Sequence, residues 1–221
     1  MKDPLNDFEW NQLYEKYDAK CSIGSRFNPS FSCLSVFQPE IASDRQLYYT
    51  LLNQVEKERN ESILISLPTY EAIVYWKMYS TSPHINNEIR KNQALRIKLN
   101  NTLSNIRRFP VTIDRANSRV IGLVKSLLRL ELYGMKLPVA TTVMHFLYPD
   151  VVPIFDQMIL RAVGYNREDI KKNNLNQSLD LYEKYLLHHW GMCKKYSSST
   201  AGFLETSVRV VEMALWVSRG E

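Results

Sequence analysis

The residues of this sequence best placed to do chemistry lie between Gly134 and Asp156. Gly134-Met135-Lys136-Leu137-Pro138-Val139-Ala140 reads as a tight turn that opens a helix. Glycine admits the left-handed backbone such a turn needs, and Pro138 suits a first helical turn, where no N–H is required. The first N–H groups of that helix lack partners within it and stand at the positive end of its dipole, so they can hold a phosphate oxygen. Lys136 adds a cation at the tip. Further on, Tyr148-Pro149-Asp150-Val151-Val152-Pro153-Ile154-Phe155-Asp156 ends an apolar, proline-bounded segment on a carboxylate where the next helix begins. A carboxylate partly withdrawn from water can act as a base or stabilise a developing cation. The same positions also suit plainer roles: Asp156 as a helix N-cap, Lys136 as an exposed turn residue.

Other reactive side chains are less specifically arranged. His189 and Cys193 stand four apart on one predicted helix beside His188, but two ligands do not make a zinc site. His145 lies in an apolar segment and reads as a core histidine. Trp76, Tyr70 and Tyr79 could stack on an extruded base, but core packing is the favoured reading. The three cysteines, Cys21, Cys33 and Cys193, are scattered and odd in number, which reads as free thiols in a reducing compartment. They are too few for a four-cysteine iron–sulfur cluster. Neither a metal nor another cofactor is expected.

Charge supplies a second kind of signal. The formal net charge is only +5, but Asn86–Arg129 holds ten Lys and Arg residues against Glu88 and Asp114 alone. That segment carries +8, and the remainder of the chain is negative. A localised basic surface of this size fits a polyanion partner. It also fits a solvated helix face answered by acidic residues elsewhere in the fold.

The elements that must position these residues follow from apolar spacing. An amphipathic helix is predicted over 5–20. An irregular loop follows over 21–42, with a short strand over 33–37 as an option. Ser43-Asp44 caps a helix that runs to about Asn60. Pro68-Thr69 opens another through Tyr79. Residues 86–108 form a long helix with Leu95, Leu99, Leu103 and Ile106 on one face, broken by Pro110. Residues 115–132 form the next, with Val120, Ile121, Val124, Leu127 and Leu128 inward. Arg115, Arg119, Gly122, Ser126 and Arg129 recur every three to four residues, so they share the outward face of that helix. Val139–Tyr148 is apolar nearly all round, the pattern of a buried central helix. Asp156–Val163 follows, closed by Gly164, and Asn166–Gln177 is a polar loop. A helix over Ser178–Lys195, a Ser197–Thr200 linker and a last helix over about Ala201–Ser218 complete the chain. In that last helix Phe203 and Leu204 stand at core spacing.

The predicted fold class is therefore all-α. A single unit is expected, with two possible lobes: about 43–132, carrying the basic face, and about 133–221 with the N-terminal segment around the hairpin. Seven glycines in 221 residues argue against a turn-rich β protein. A hydrophobic fraction of 45% is ordinary for a globular protein. With no leader-like start and no apolar run of membrane-spanning length, a cytoplasmic location is expected and a membrane partner is not.

Helix, hairpin, helix, a proline and then an Asp about twenty residues beyond the hairpin resembles the helix-hairpin-helix DNA glycosylase superfamily, which includes endonuclease III and the 8-oxoguanine DNA glycosylases. The likeness is nearest to divergent prokaryotic members with a Pro-Asp pair, a Pro-x-x-Asp segment and a tail helix ending in Ala-Leu-Trp. Here these are Pro149-Asp150, Pro153-Ile154-Phe155-Asp156 and Ala214-Leu215-Trp216. The resemblance covers roughly Val120–Val163 and the tail helix. It implies a two-lobed helical fold of the glycosylase type, duplex DNA as partner and base-excision repair as the setting. It further implies that Asp156 assists cleavage of an N-glycosidic bond, with Gly134, Lys136, Arg115, Arg119 and Arg129 on the DNA. Two departures narrow the chemistry. Pro138 stands where bifunctional members carry a Schiff-base lysine, and Lys136 replaces the second hairpin glycine. What remains is a monofunctional glycosylase acting through Asp156. The alternatives are a non-catalytic nucleic-acid-binding relative, or a helical interaction protein whose basic face meets an acidic protein.

Overall fold

Every regular element among the described residues is helical. The computed structural model describes residues 3–21, 43–61, 65–78, 91–108, 116–132, 134–166, 168 and 174–218 of the 221. A 3-10 turn over Trp10–Gln12 leads into α1 (Leu13–Lys20). Then come α2 (Asp44–Glu61), α3 (Leu67–Met78), α4 (Gln93–Arg108), α5 (Ala116–Leu128), α6 (Leu137–Leu147) and α7 (Gln157–Ala162). The C-terminal part holds α8 (Leu175–Lys195), α9 (Ser197–Thr200) and α10 (Ser207–Ser218).

Most boundaries follow from capping chemistry. Ser43 caps α2, its Oγ accepting from the Gln46 N–H at 3.1 Å. Of the long helix expected over 86–108, residues 86–90 lie outside the described residues; Asn92 Oδ1 accepts from the Leu95 N–H at 3.2 Å and caps α4, which starts at Gln93. Asn174 caps α8 through the Asn176 N–H, which extends that helix three residues ahead of the expected Ser178. α7 ends on Gly164 at φ 97, with the Tyr165 N–H reaching back to the Leu160 carbonyl; this six-residue closure places glycine where the backbone turns left-handed.

Three further expectations are corrected. The N-terminal helix begins at Leu13 rather than near Leu5, because the Leu5 N–H is taken by the Asp3 side chain and residues 4–7 turn. The serine run over Ser197–Thr200 is a helical turn with Thr200 buried, not a linker. The last helix starts only at Ser207, because Thr206 caps it through the Arg209 N–H. Leu204, expected in the core, is 87% exposed on the turn that precedes it. The proposed strand over 33–37, Tyr79, Arg115 and Pro110 lie outside the described residues.

The chain divides into two compact units. One comprises Met1–Lys20, Val111–Ile121 and Tyr148–Glu221; the other comprises Cys21–Pro110 and Gly122–Leu147. In the second unit α6 is the central element. All of its residues except Pro138 are buried, and it packs on α3 and α2. Tyr48, Trp76 and Phe146 form a ring cluster beside it, and the Tyr48 hydroxyl bonds the buried His145 Nε2 at 2.8 Å. His145, Tyr70 and Trp76 are thus core residues, and neither aromatic presents a face for base stacking.

The joint between α2 and α3 is a carboxylate cap. Glu58 Oε1 accepts from the Thr69 hydroxyl at 2.7 Å and from Ser66 Oγ, and Oε2 accepts from the Ser66 N–H at 2.8 Å. Partial burial pushes the Glu58 carboxyl upward, but these donors and Gln54 outweigh it and hold the group below the usual range. Glu58→Ala strands several donors at the start of α3. A loss of about 1–2 kcal/mol in urea unfolding is expected; an unchanged midpoint would show that water replaces the carboxylate without penalty.

In the first unit α10 is the centre, packed by α1, α7, α8 and α9. Its charged residues Arg209 and Glu212 are 5% and 0% exposed.

Candidate functional site

The hairpin in the second unit is built by two left-handed residues. α5 ends at Leu128, and the chain leaves it through Glu131 at φ 52, the one non-glycine residue with positive φ among those described. The Met135 N–H then donates to the Leu132 carbonyl at 2.9 Å across a turn whose third residue is Gly134, at φ 76. A left-handed backbone at that position favours glycine. Lys136 follows at the tip, exposed and without an ion-pair partner among the described residues. Its carbonyl accepts from Val139 and Ala140 and so starts α6. The Met135 and Lys136 N–H groups are spent on the turn itself, and Pro138 has none. The set of free backbone donors at this turn is thereby smaller than the bare motif suggests.

The arginine stripe holds in part. Arg119 and Arg129 are exposed, as is Gly122, whereas Val120, Val124 and Leu127 are buried. Arg129 lies just past the end of α5. Gly134, Lys136 and Arg129 belong to the second unit, and Arg119 and Asp156 to the first.

Asp156 sits at the end of a loop that is itself buried. Val151 through Phe155 have almost no exposed surface. Irregular backbone in a core carries polar groups that must find partners. Here side chains from α8, α10 and the turn before α10 supply them. The Thr206 hydroxyl donates to the Pro149 carbonyl at 2.9 Å, and the Trp190 indole N–H donates to the Val151 carbonyl at 2.7 Å. The Tyr182 hydroxyl donates to the Pro153 carbonyl at 2.9 Å, and the Ile154 N–H donates to the Glu212 carboxylate. Burial first, and then the Glu212 charge, push the Tyr182 phenol well up, so it stays a neutral donor. Four anchors over six residues fix the loop. Asp156 emerges from it half-buried, with φ −120 and ψ 130, and its Oδ1 accepts from the Met158 N–H at 2.7 Å. It is therefore the N-cap of α7 and, at the same time, a carboxylate on a rigid mount.

Glu212 in turn faces Arg209, whose Nη1 lies 3.5 Å from Glu212 Oε2 and whose Nη2 donates to the Tyr17 hydroxyl at 2.7 Å. Sequence reading missed this support. The available signal was an acid and an arginine inside an otherwise apolar helix, Val208-Arg209-Val210-Val211-Glu212-Met213-Ala214.

His189 and Cys193 serve packing. His189 Nε2 lies 3.0 Å from the Val208 carbonyl, which can only accept, so Nε2 carries the proton. Nδ1 then accepts from the Tyr185 hydroxyl at 3.3 Å. Both ring nitrogens are engaged. Burial pushes the Cys193 thiol up to about 12, so it is neither a ready nucleophile nor a ready metal ligand.

No family model, curated protein or solved structure matches the chain.

Proposed function

We propose that the protein binds duplex DNA on a helical scaffold of the helix-hairpin-helix glycosylase type, and that Asp156 assists hydrolysis of an N-glycosidic bond. The observation that carries this reading is the four-anchored loop that delivers Asp156. Tyr182, Trp190, Thr206 and Glu212 satisfy the buried backbone ahead of Asp156 and in doing so hold its carboxylate in one place. Preorganisation of this kind is what stabilising a short-lived cation demands. In the reaction the bond between sugar C1′ and the base nitrogen breaks and the base leaves with the bonding electrons and takes up a proton. The carboxylate stabilises the oxocarbenium-like sugar, and a water oxygen adds at C1′ and gives up a proton, which balances the one taken up by the base. The turn at Gly134 and the Lys136 cation grip the backbone. With Pro138 in place of a lysine, no covalent enzyme–sugar intermediate forms.

The test is a glycosylase assay on duplexes carrying a panel of damaged bases, with Asp156→Asn as the control. Asn caps a helix about as well as Asp, so folding should be retained while the charge is lost. A fall in rate of at least about a hundredfold is expected. A second reading, DNA binding without catalysis, is favoured by the Met158 N–H already occupying one carboxylate oxygen. Tight binding with no base release on any duplex would establish it.

A further inference from the structure

We propose that the outer face of α4 is a second contact surface for the DNA phosphate backbone, distinct from the hairpin. The proposal rests on the DNA-binding reading above and extends it to residues outside the helix–hairpin–helix stretch.

α4 is anchored by Leu99, Leu103 and Ile106, all at most 2% exposed. Arg96, Lys98, Asn101 and Asn105 are exposed on the same helix, and Lys91 is exposed just ahead of it. Gln93–Arg108 contains no Asp or Glu, so nothing within the helix can pair with these cations at the next turn. Lys91, Arg96 and Lys98 have no ion-pair partner among the described residues. By contrast, Lys16 meets Glu9, Lys195 meets Asp3 and Arg209 meets Glu212. The helix gains nothing from them either, since cations in its N-terminal half oppose its own dipole. An open groove of about 390 Å³ runs along this end, lined by Lys91, Gln93, Arg96, Ile97 and Asn100.

This composition selects the partner. Lys, Arg, Asn and Gln are the side chains that donate to phosphate oxygens, and such contacts are independent of sequence. A protein partner would need buried aromatic or aliphatic anchors. Among the described residues of this face the exposed large apolar side chain is Ile97, at 53%. The surface therefore suits a regular polyanion rather than an acidic protein.

Binding of a labelled undamaged duplex, measured by anisotropy at several salt concentrations, tests this. Three proteins are compared: the unmodified chain, a triple variant Lys91→Gln/Arg96→Gln/Lys98→Gln, and Lys136→Gln. All four positions are exposed, so folding should be unchanged, and circular dichroism and thermal unfolding verify that. The triple variant should bind more weakly, with the slope of log affinity against log salt shallower by about 2–3. Lys136→Gln should lose about one unit of slope by itself, and the two losses should add. If the unmodified chain binds duplex and the triple variant keeps its affinity and slope, the α4 surface is refuted while the DNA reading stands. If the unmodified chain shows no salt-dependent duplex binding, the DNA reading falls and this proposal with it. Displacement of the duplex by polyglutamate at equal charge would assign the face to acidic proteins instead.

Discussion

Glu212→Ala is expected to lower the unfolding free energy by about 3–5 kcal/mol, the usual effect of removing one member of a buried ion pair. Glu212 is completely buried, and Arg209 beside it is 5% exposed. Two groups lose their partner together. The Arg209 guanidinium keeps the Tyr17 hydroxyl but loses the opposing charge, and the Ile154 N–H loses its acceptor inside the core. Neither can reach bulk water without opening the unit around α10. Glu212→Gln separates the contributions, because the amide oxygen can still accept from Ile154 while the charge is gone; an intermediate loss is expected. The double variant Arg209→Met/Glu212→Met should cost less than the sum of the single changes, since an apolar pair leaves no charge unanswered. Urea unfolding reads all three. A single-variant cost below about 1 kcal/mol would mean that the loop ahead of Asp156 is held by its other anchors and that Arg209 is already solvated.

Acidification should remove on the order of 3 kcal/mol of stability through His189 alone. Burial lowers this imidazole to about 4, against 6.5 for an exposed histidine; the adjacent His188 adds to the effect, and the bond to the Val208 carbonyl partly offsets it. The folded state binds its proton less readily than the unfolded chain does. The contribution is therefore fully present above about pH 6.5 and disappears as pH falls towards 4. Protonating Nδ1 would also destroy the acceptor that the Tyr185 hydroxyl uses. Carboxylates such as Asp3 and Glu58, held below their usual range by hydrogen bonds, lose their own contributions only at lower pH. The interval from pH 6.5 to 5 thus separates His189 from those carboxylates. His189→Gln keeps a donor for Val208 and has no proton to gain. Thermal unfolding of this variant should be nearly flat over that interval while that of the unmodified protein falls. Parallel curves would place the titration elsewhere.

Both effects arise in side chains that sequence patterns placed only loosely. α6 was legible because almost every residue in it is apolar, a pattern that only a helix buried on all sides satisfies. The turn at Gly134 was legible because glycine is the residue that takes a left-handed backbone without strain. Ser43 and Asp156 were legible as caps because their oxygens accept from N–H groups two or three residues away. These are local interactions, complete within a few residues of chain.

The errors share a cause as well. Asn174 and Thr206 reset helix starts by hydrogen bonds that compete with the apolar period, so Leu204 fell on a turn despite its core spacing. Arg209 and Glu212 carried no local signal that they support the Asp156 loop, which lies more than fifty residues earlier in the chain.

The sequence by itself determined that the chain is helical, that α6 is a buried helix, where the hairpin turns, and that a carboxylate stands at position 156. Periodicity and backbone stereochemistry act within one or two turns, and they suffice for those features. Only the tertiary structure decided that Asp156 stands on a buried loop held by Tyr182, Trp190, Thr206 and Glu212. It also decided that Lys91, Arg96 and Lys98 have no ion-pair partner among the described residues. The physical reason is that satisfying a buried polar group, or leaving a surface charge unanswered, depends on what distant segments bring to the same place.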